Sequence, residues 1–63
     1  MKAWTYAVTY EYENEAPDCH RGEAKATSIA TAAARALRVA KKAFPRKRPR
    51  SVVVLIQEKD KDV

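Results

Sequence analysis

The sequence predicts an α+β fold of the ββαβ type: a three-stranded antiparallel sheet in the order 2-1-3 with one α-helix packed on one face. Three stretches carry this prediction. Large apolar residues occupy every second position from Trp4 to Tyr12, with small or polar residues between them, which is the period of a half-buried strand. An alanine-rich segment without Gly or Pro runs from Ser28 to Phe44. Finally, Val52-Val53-Val54-Leu55-Ile56 is almost entirely β-branched, as a strand prefers.

The first strand holds the only Trp and all three Tyr of the chain, so the core of this 63-residue protein has to be built on its even face. Asn14-Glu15-Ala16-Pro17-Asp18 follows as a turn, because Pro17 lacks a donor while Asn and Asp bond their own backbone. A return strand is then expected from about His20 to Thr27. Gly22, Ala24 and Ala26 would face the core, with Arg21, Glu23, Lys25 and Thr27 outside, a charged edge that resists pairing with other chains.

Thr27 or Ser28 caps the helix, which Pro45 ends. At 100° per residue, Ile29, Ala33, Ala36, Leu37, Ala40 and Phe44 form one apolar stripe flanked by Ala32 and Ala43, and Thr31, Arg35, Arg38 and Lys42 fall on the opposite side. A roof of alanines complements a floor of Trp and Tyr, since small residues let the helix axis approach a bulky sheet. Pro45-Arg46-Lys47-Arg48-Pro49-Arg50 is a stiff, basic connection to the third strand, Ser51 to Gln57. There Val52, Val54 and Ile56 are expected to face the helix. Val53 and Leu55 face the other way with Ala3, Thr5, Ala7 and Thr9. A right-handed crossover from the second strand to the third sets them on either side of the first and leaves one sheet face open. The expected domain is 1–58, with 59–63 a polar, frayed tail.

A chain of this length buries only about 60% of the surface it exposes unfolded. Cys19 is the only cysteine, so no intramolecular disulfide is available, and oligomerisation is the remaining way to gain stability. Self-association is expected through Val53 and Leu55. No apolar run approaches the roughly 20 residues of a membrane span, and no signal-peptide apolar region occurs, so the expectation is a cytoplasmic protein without membrane contact.

The net charge is +5, and its layout is more informative than its size. Residues 1–23 carry five acids against two bases, whereas no acid occurs between Ala24 and Gln57 and nine bases do. Such a field attracts polyanions. The expected contact surface comprises Arg35, Arg38, Lys41, Lys42, Arg46, Lys47, Arg48 and Arg50. Groups of this kind grip phosphates and read sequence poorly. The alternating aromatics could instead stack single-stranded bases, but they are expected to be core, because no other face has the bulk the helix requires.

No catalytic, metal or cofactor site is expected. Cys19 and His20 are adjacent on a strand and point to opposite faces, four zinc ligands are not in sight, and a single glycine cannot form a phosphate loop. The chain is therefore expected to be a small basic binding module for nucleic acid or a nucleoprotein complex, and not an enzyme.

The layout, with Gly22-Glu23-Ala24-Lys25-Ala26-Thr27-Ser28 leading into an alanine-rich helix, resembles small phage and mobile-element proteins, including some anti-CRISPR inhibitors of type I surveillance complexes. The resemblance implies no catalytic motif. Those inhibitors are commonly acidic DNA mimics, whereas this chain is basic, so its surface would sit where such a complex holds nucleic acid or acidic protein. The alternative function is thus a protein-directed inhibitor or adaptor that uses the open sheet face.

Overall fold

A computed structural model describes residues 1–45 and 47–59. It has the ββαβ fold that the sequence predicts: β1 (Lys2–Glu11), β2 (Asp18–Ala26), α1 (Ile29–Ala43) and β3 (Ser51–Glu58). The sheet order is β2-β1-β3, and β1 is antiparallel to both neighbours. No described helix is long and apolar enough to cross a membrane.

The even face of β1 is the core. Trp4, Tyr6, Val8 and Tyr10 are buried, and Val8 is completely enclosed. The Trp4 indole N–H donates to the Ala26 carbonyl at 3.0 Å, so its one polar atom is satisfied inside. β2 faces this layer with small residues, and Gly22 pairs with Tyr6. A Cβ at Gly22 would lie 2.6 Å from Tyr6 Oη and 2.9 Å from its Cζ, so the ring can rest against β2 only because a glycine is there.

The roof is narrower than the helical wheel suggests. Ala32, Ala36 and Ala40 are its buried line, while Ile29 and Ala43 are exposed. Ala36 and Ala40 pack with Tyr6, Val8 and Tyr10, and Ala32 packs with Trp4 and Ala26. The aromatic floor fills the space at closest approach, so methyl groups line that contact, and Ile29, the first residue of α1, lies beyond it beside Val54, Leu55 and Ile56. Val54 and Ile56 join the core edge half-buried, as expected, whereas Val52 on the same face is 42% exposed.

Ser28 is the helix cap. Its Oγ accepts from the Thr31 N–H at 3.3 Å, and the first helical backbone bond runs from Ala32 N–H to the Ser28 carbonyl. At the other end Phe44 N–H donates to the Ala40 carbonyl, and the Phe44 ring closes the core 5.2 Å from that of Tyr10. Lys41 and Lys42 lie in the last turn, where the helix dipole favours positive charge.

The return strand begins at Asp18, earlier than the His20 expected from sequence. Tyr10 pairs with Asp18, and the Tyr12 hydroxyl donates to Asp18 Oδ2 at 2.8 Å, which fixes the strand start. β3 continues to Glu58, and Lys59 is held by its N–H bond to the Ala3 carbonyl. The remainder of the expected frayed tail, 60–63, lies outside the described residues.

Tyr12 offers a readout of this corner. Partial burial, the hydrogen bond to Asp18 and the negative charges of Asp18 and Glu15 push its phenol from 10.0 up to about 12. The folded state therefore holds the proton more tightly than the unfolded chain. The resulting stabilisation is fully present below pH 10 and is lost as pH rises toward 12. In a difference titration of wild type against Tyr12→Phe at 295 nm, the Tyr12 absorbance should still be rising above pH 11, where an ordinary tyrosine is mostly ionised. A step centred near pH 10 would contradict this account of the turn.

Candidate nucleic-acid interface

The positive surface is built on α1 because its buried line fixes its rotation. With Ala32, Ala36 and Ala40 turned to the sheet, Arg35, Arg38, Lys41 and Lys42 are all exposed. Arg35, Arg38 and Lys42 fall within about 60° of one another on the wheel, and Lys41 flanks them. Arg35 lies toward β2, where its guanidinium donates to the Lys25 carbonyl at the sheet edge. It is thus anchored, with its charge still at the surface.

None of these four residues takes part in an ion pair among the described residues. All the described acids except Glu13 are engaged elsewhere. Glu58 pairs with Lys2 at 3.7 Å and Glu23 with Lys59 at 3.1 Å, both on the sheet. Glu11 accepts from the Ser51 hydroxyl at 2.8 Å.

The basic connection divides into two parts. Lys47 turns toward the β1–β2 turn, with Nζ 3.9 Å from Glu15 Oε2, 3.8 Å from Asp18 Oδ2 and 5.4 Å above the Tyr12 ring. Its charge is compensated locally, so it adds little to the expected surface. Arg48 and Arg50 are exposed and have no ion-pair partner among the described residues. The Arg50 N–H donates to the Glu11 carbonyl at 2.7 Å, which holds this end of the connection against β1. Arg46 lies outside the described residues.

The sequence could not disclose the capture of Lys47. Its acidic partners are about thirty positions earlier, and the pairing of β1 with β3 brings the two segments together. The engagement of Arg35 with Lys25 likewise depends on the approach of α1 to β2.

With α1 over them, Trp4, Tyr6 and Tyr10 are closed to bases, so base stacking on this face is not available. The opposite face is open. Val53 and Leu55 are exposed there, as expected, beside Thr5 and Ala7. A shallow depression of about 860 Å³ crosses it, bordered by Thr5, Ala7, Arg21, Glu23, Leu55 and Gln57.

Cys19 and His20 lie on opposite sides of the sheet. Cys19 is exposed on the open face, and hydrogen bonding to Thr9 and Arg21, together with the Arg21 charge, pulls its thiol below the ordinary value. His20 is half-buried on the helix side, 5.9 Å from the Tyr6 ring and 6.5 Å from that of Phe44. Among the described residues no three His, Cys, Asp or Glu side chains converge as metal ligands would. No protein-family model, curated protein or solved structure matches the chain.

Proposed function

We propose that this chain is a non-catalytic module that contacts nucleic acid, free or inside a nucleoprotein complex, through the outer surface of α1 and the Arg48–Arg50 segment. The uncompensated charge of α1 carries this reading. Four exposed cations stand on one rigid helix, and the described ion pairs draw their bases from Lys2, Lys47 and Lys59 instead. A surface serving solubility alone has no need to keep acids away from its bases, and a mixed surface would serve it as well. A convex helix bearing Arg and Lys matches a run of phosphates, and each contact releases condensed counterions on binding.

Among the described residues Arg35, Arg38, Lys41, Lys42, Arg48 and Arg50 are the uncompensated cations of this surface, and six phosphate contacts correspond to a slope of log K against log salt of about 5 for duplex DNA. Base identity should matter little, because a surface of Lys and Arg grips phosphates, and phosphate contacts carry no sequence information. The test is a fluorescence titration of labelled single- and double-stranded oligonucleotides at several salt concentrations. A slope between about 3 and 5 with weak sequence preference is expected. Absence of binding at about 50 mM salt would overturn the reading. Salt-insensitive binding would also overturn it, and would favour the alternative of a protein-directed inhibitor or adaptor that uses the open sheet face.

A further inference from the structure

We propose that β3 pairs antiparallel with β3 of a second copy about a two-fold axis, in the register that sets Val54 opposite the partner's Val54. The exposed large apolar side chains are not scattered. Apart from Met1 and Val39, they are Ile29 (56% exposed), Val52 (42%), Val53 (41%) and Leu55 (66%), and all four lie along β3 or the flank of α1 above it. Ile29, Ala30 and Ala33 form with Val54, Leu55 and Ile56 a groove of about 440 Å³ on the helix side of this edge. The edge therefore offers apolar surface on both faces of the sheet.

Its backbone is also open. Lys59 N–H donates to the Ala3 carbonyl, and the Gln57 carbonyl accepts from Thr5 Oγ1, so the odd residues of this segment address β1. Antiparallel ladders alternate. The N–H and C=O groups of Val52, Val54, Ile56 and Glu58 consequently point away from the sheet, and none has a partner among the described residues. The β2 edge differs: it carries Arg21, Glu23 and Lys25, and Arg35 occupies the Lys25 carbonyl. A long, uncharged, β-branched edge pairs readily with another strand unless something guards it, and β3 has no charge between Ser51 and Gln57.

The order of residues from Arg50 to Glu58 selects the partner and the register. Centred on Val54, the pairing places Val52 against the partner's Ile56, Val53 against the partner's Leu55 and Ser51 against the partner's Gln57. Arg50, the residue just before β3 and held by its N–H on the Glu11 carbonyl, then lies at the end of the seam beside the partner's Glu58, and Glu58, which otherwise pairs with Lys2, lies beside the partner's Arg50. Apolar side chains meet apolar ones, and opposite charges close both ends. The outward backbone groups of Val52, Val54 and Ile56 meet one another as hydrogen-bonded pairs. A shift that centres on Leu55 sets Val52 against the partner's Glu58, and one that centres on Val53 sets Arg50 against the partner's Ile56. Both lose the match of Arg50 with Glu58 and bring a charge beside an apolar residue. Even positions face even positions, so both α1 helices lie on one side of a six-stranded sheet, and the partner's Val52 comes to the edge of the groove beneath Ile29.

Sedimentation equilibrium without nucleic acid tests this, so its failure leaves the charge-based reading untouched. The mass should rise with concentration from 7.1 kDa to twice that and stop. Arg50→Glu and Glu58→Arg should each weaken association about tenfold or more, because like charges then meet at both ends, and the double replacement should restore it. Val52→Pro removes an outward N–H and no β1 bond, so it should abolish the dimer while leaving the circular dichroism of the monomer intact. A wild-type monomer up to about 1 mM, a range far above that of specific dimers, overturns the proposal. So do a mass that grows beyond the dimer, single charge variants that associate unchanged, and a double variant that fails to recover.

Discussion

Replacing Arg38, Lys41 and Lys42 together by Gln should weaken oligonucleotide binding by roughly two to three orders of magnitude at about 0.1 M salt. Each phosphate contact contributes a slope of about 0.9, so removing three lowers the slope by nearly three units and the affinity at this salt by the same number of decades. Arg35 is left in place because its guanidinium holds the Lys25 carbonyl, and changing it would mix stability with binding. Arg38, Lys41 and Lys42 are exposed and unpaired among the described residues, so the variant should keep its urea midpoint. Binding that survives with its slope intact would move the contact surface off α1.

Ala36→Leu should be the most damaging single change to the fold. Ala36 is completely buried against Tyr6, Val8 and Tyr10, so three further carbon atoms cannot enter without lifting α1 from the sheet. Overpacking of this kind costs about 1–3 kcal/mol and occasionally more. A domain of this length has roughly 3–9 kcal/mol in total. Ala34→Leu on the exposed side is the control and should shift stability by no more than about 0.5 kcal/mol. Equal urea midpoints for the two variants would show that the alanine line does not set the distance between helix and sheet.

The topology was legible because each element carries one dominant periodicity. Trp4, Tyr6, Val8 and Tyr10 can satisfy only a strand with one buried face, and Pro45 can only end a helix. The helix rotation was legible less well. The wheel placed Ala36 and Ala40 in the stripe with Ala32 and Ala43 at its flanks, whereas packing buries Ala32 with them and leaves Ile29 and Ala43 exposed, since the bulk of the facing aromatics is a property of the assembled sheet and not of the helix sequence. For the same reason the charge segregation could be read from residue order, while the withdrawal of Lys47 into Glu15 and Asp18 could not.

The central position of β1 bears on how the molecule assembles in time. The β1–β2 hairpin closes a short loop, but β1 and β3 pair residues as distant as Trp4 and Glu58. Closure across such a span is entropically slow and waits on the rest of the chain. Until β3 arrives, the odd backbone groups of β1 are unpaired, beside a layer of Trp and Tyr that α1 alone cannot shield. The slow step should therefore be the docking of the last strand, and the intermediate before it should be the species most prone to aggregate during refolding.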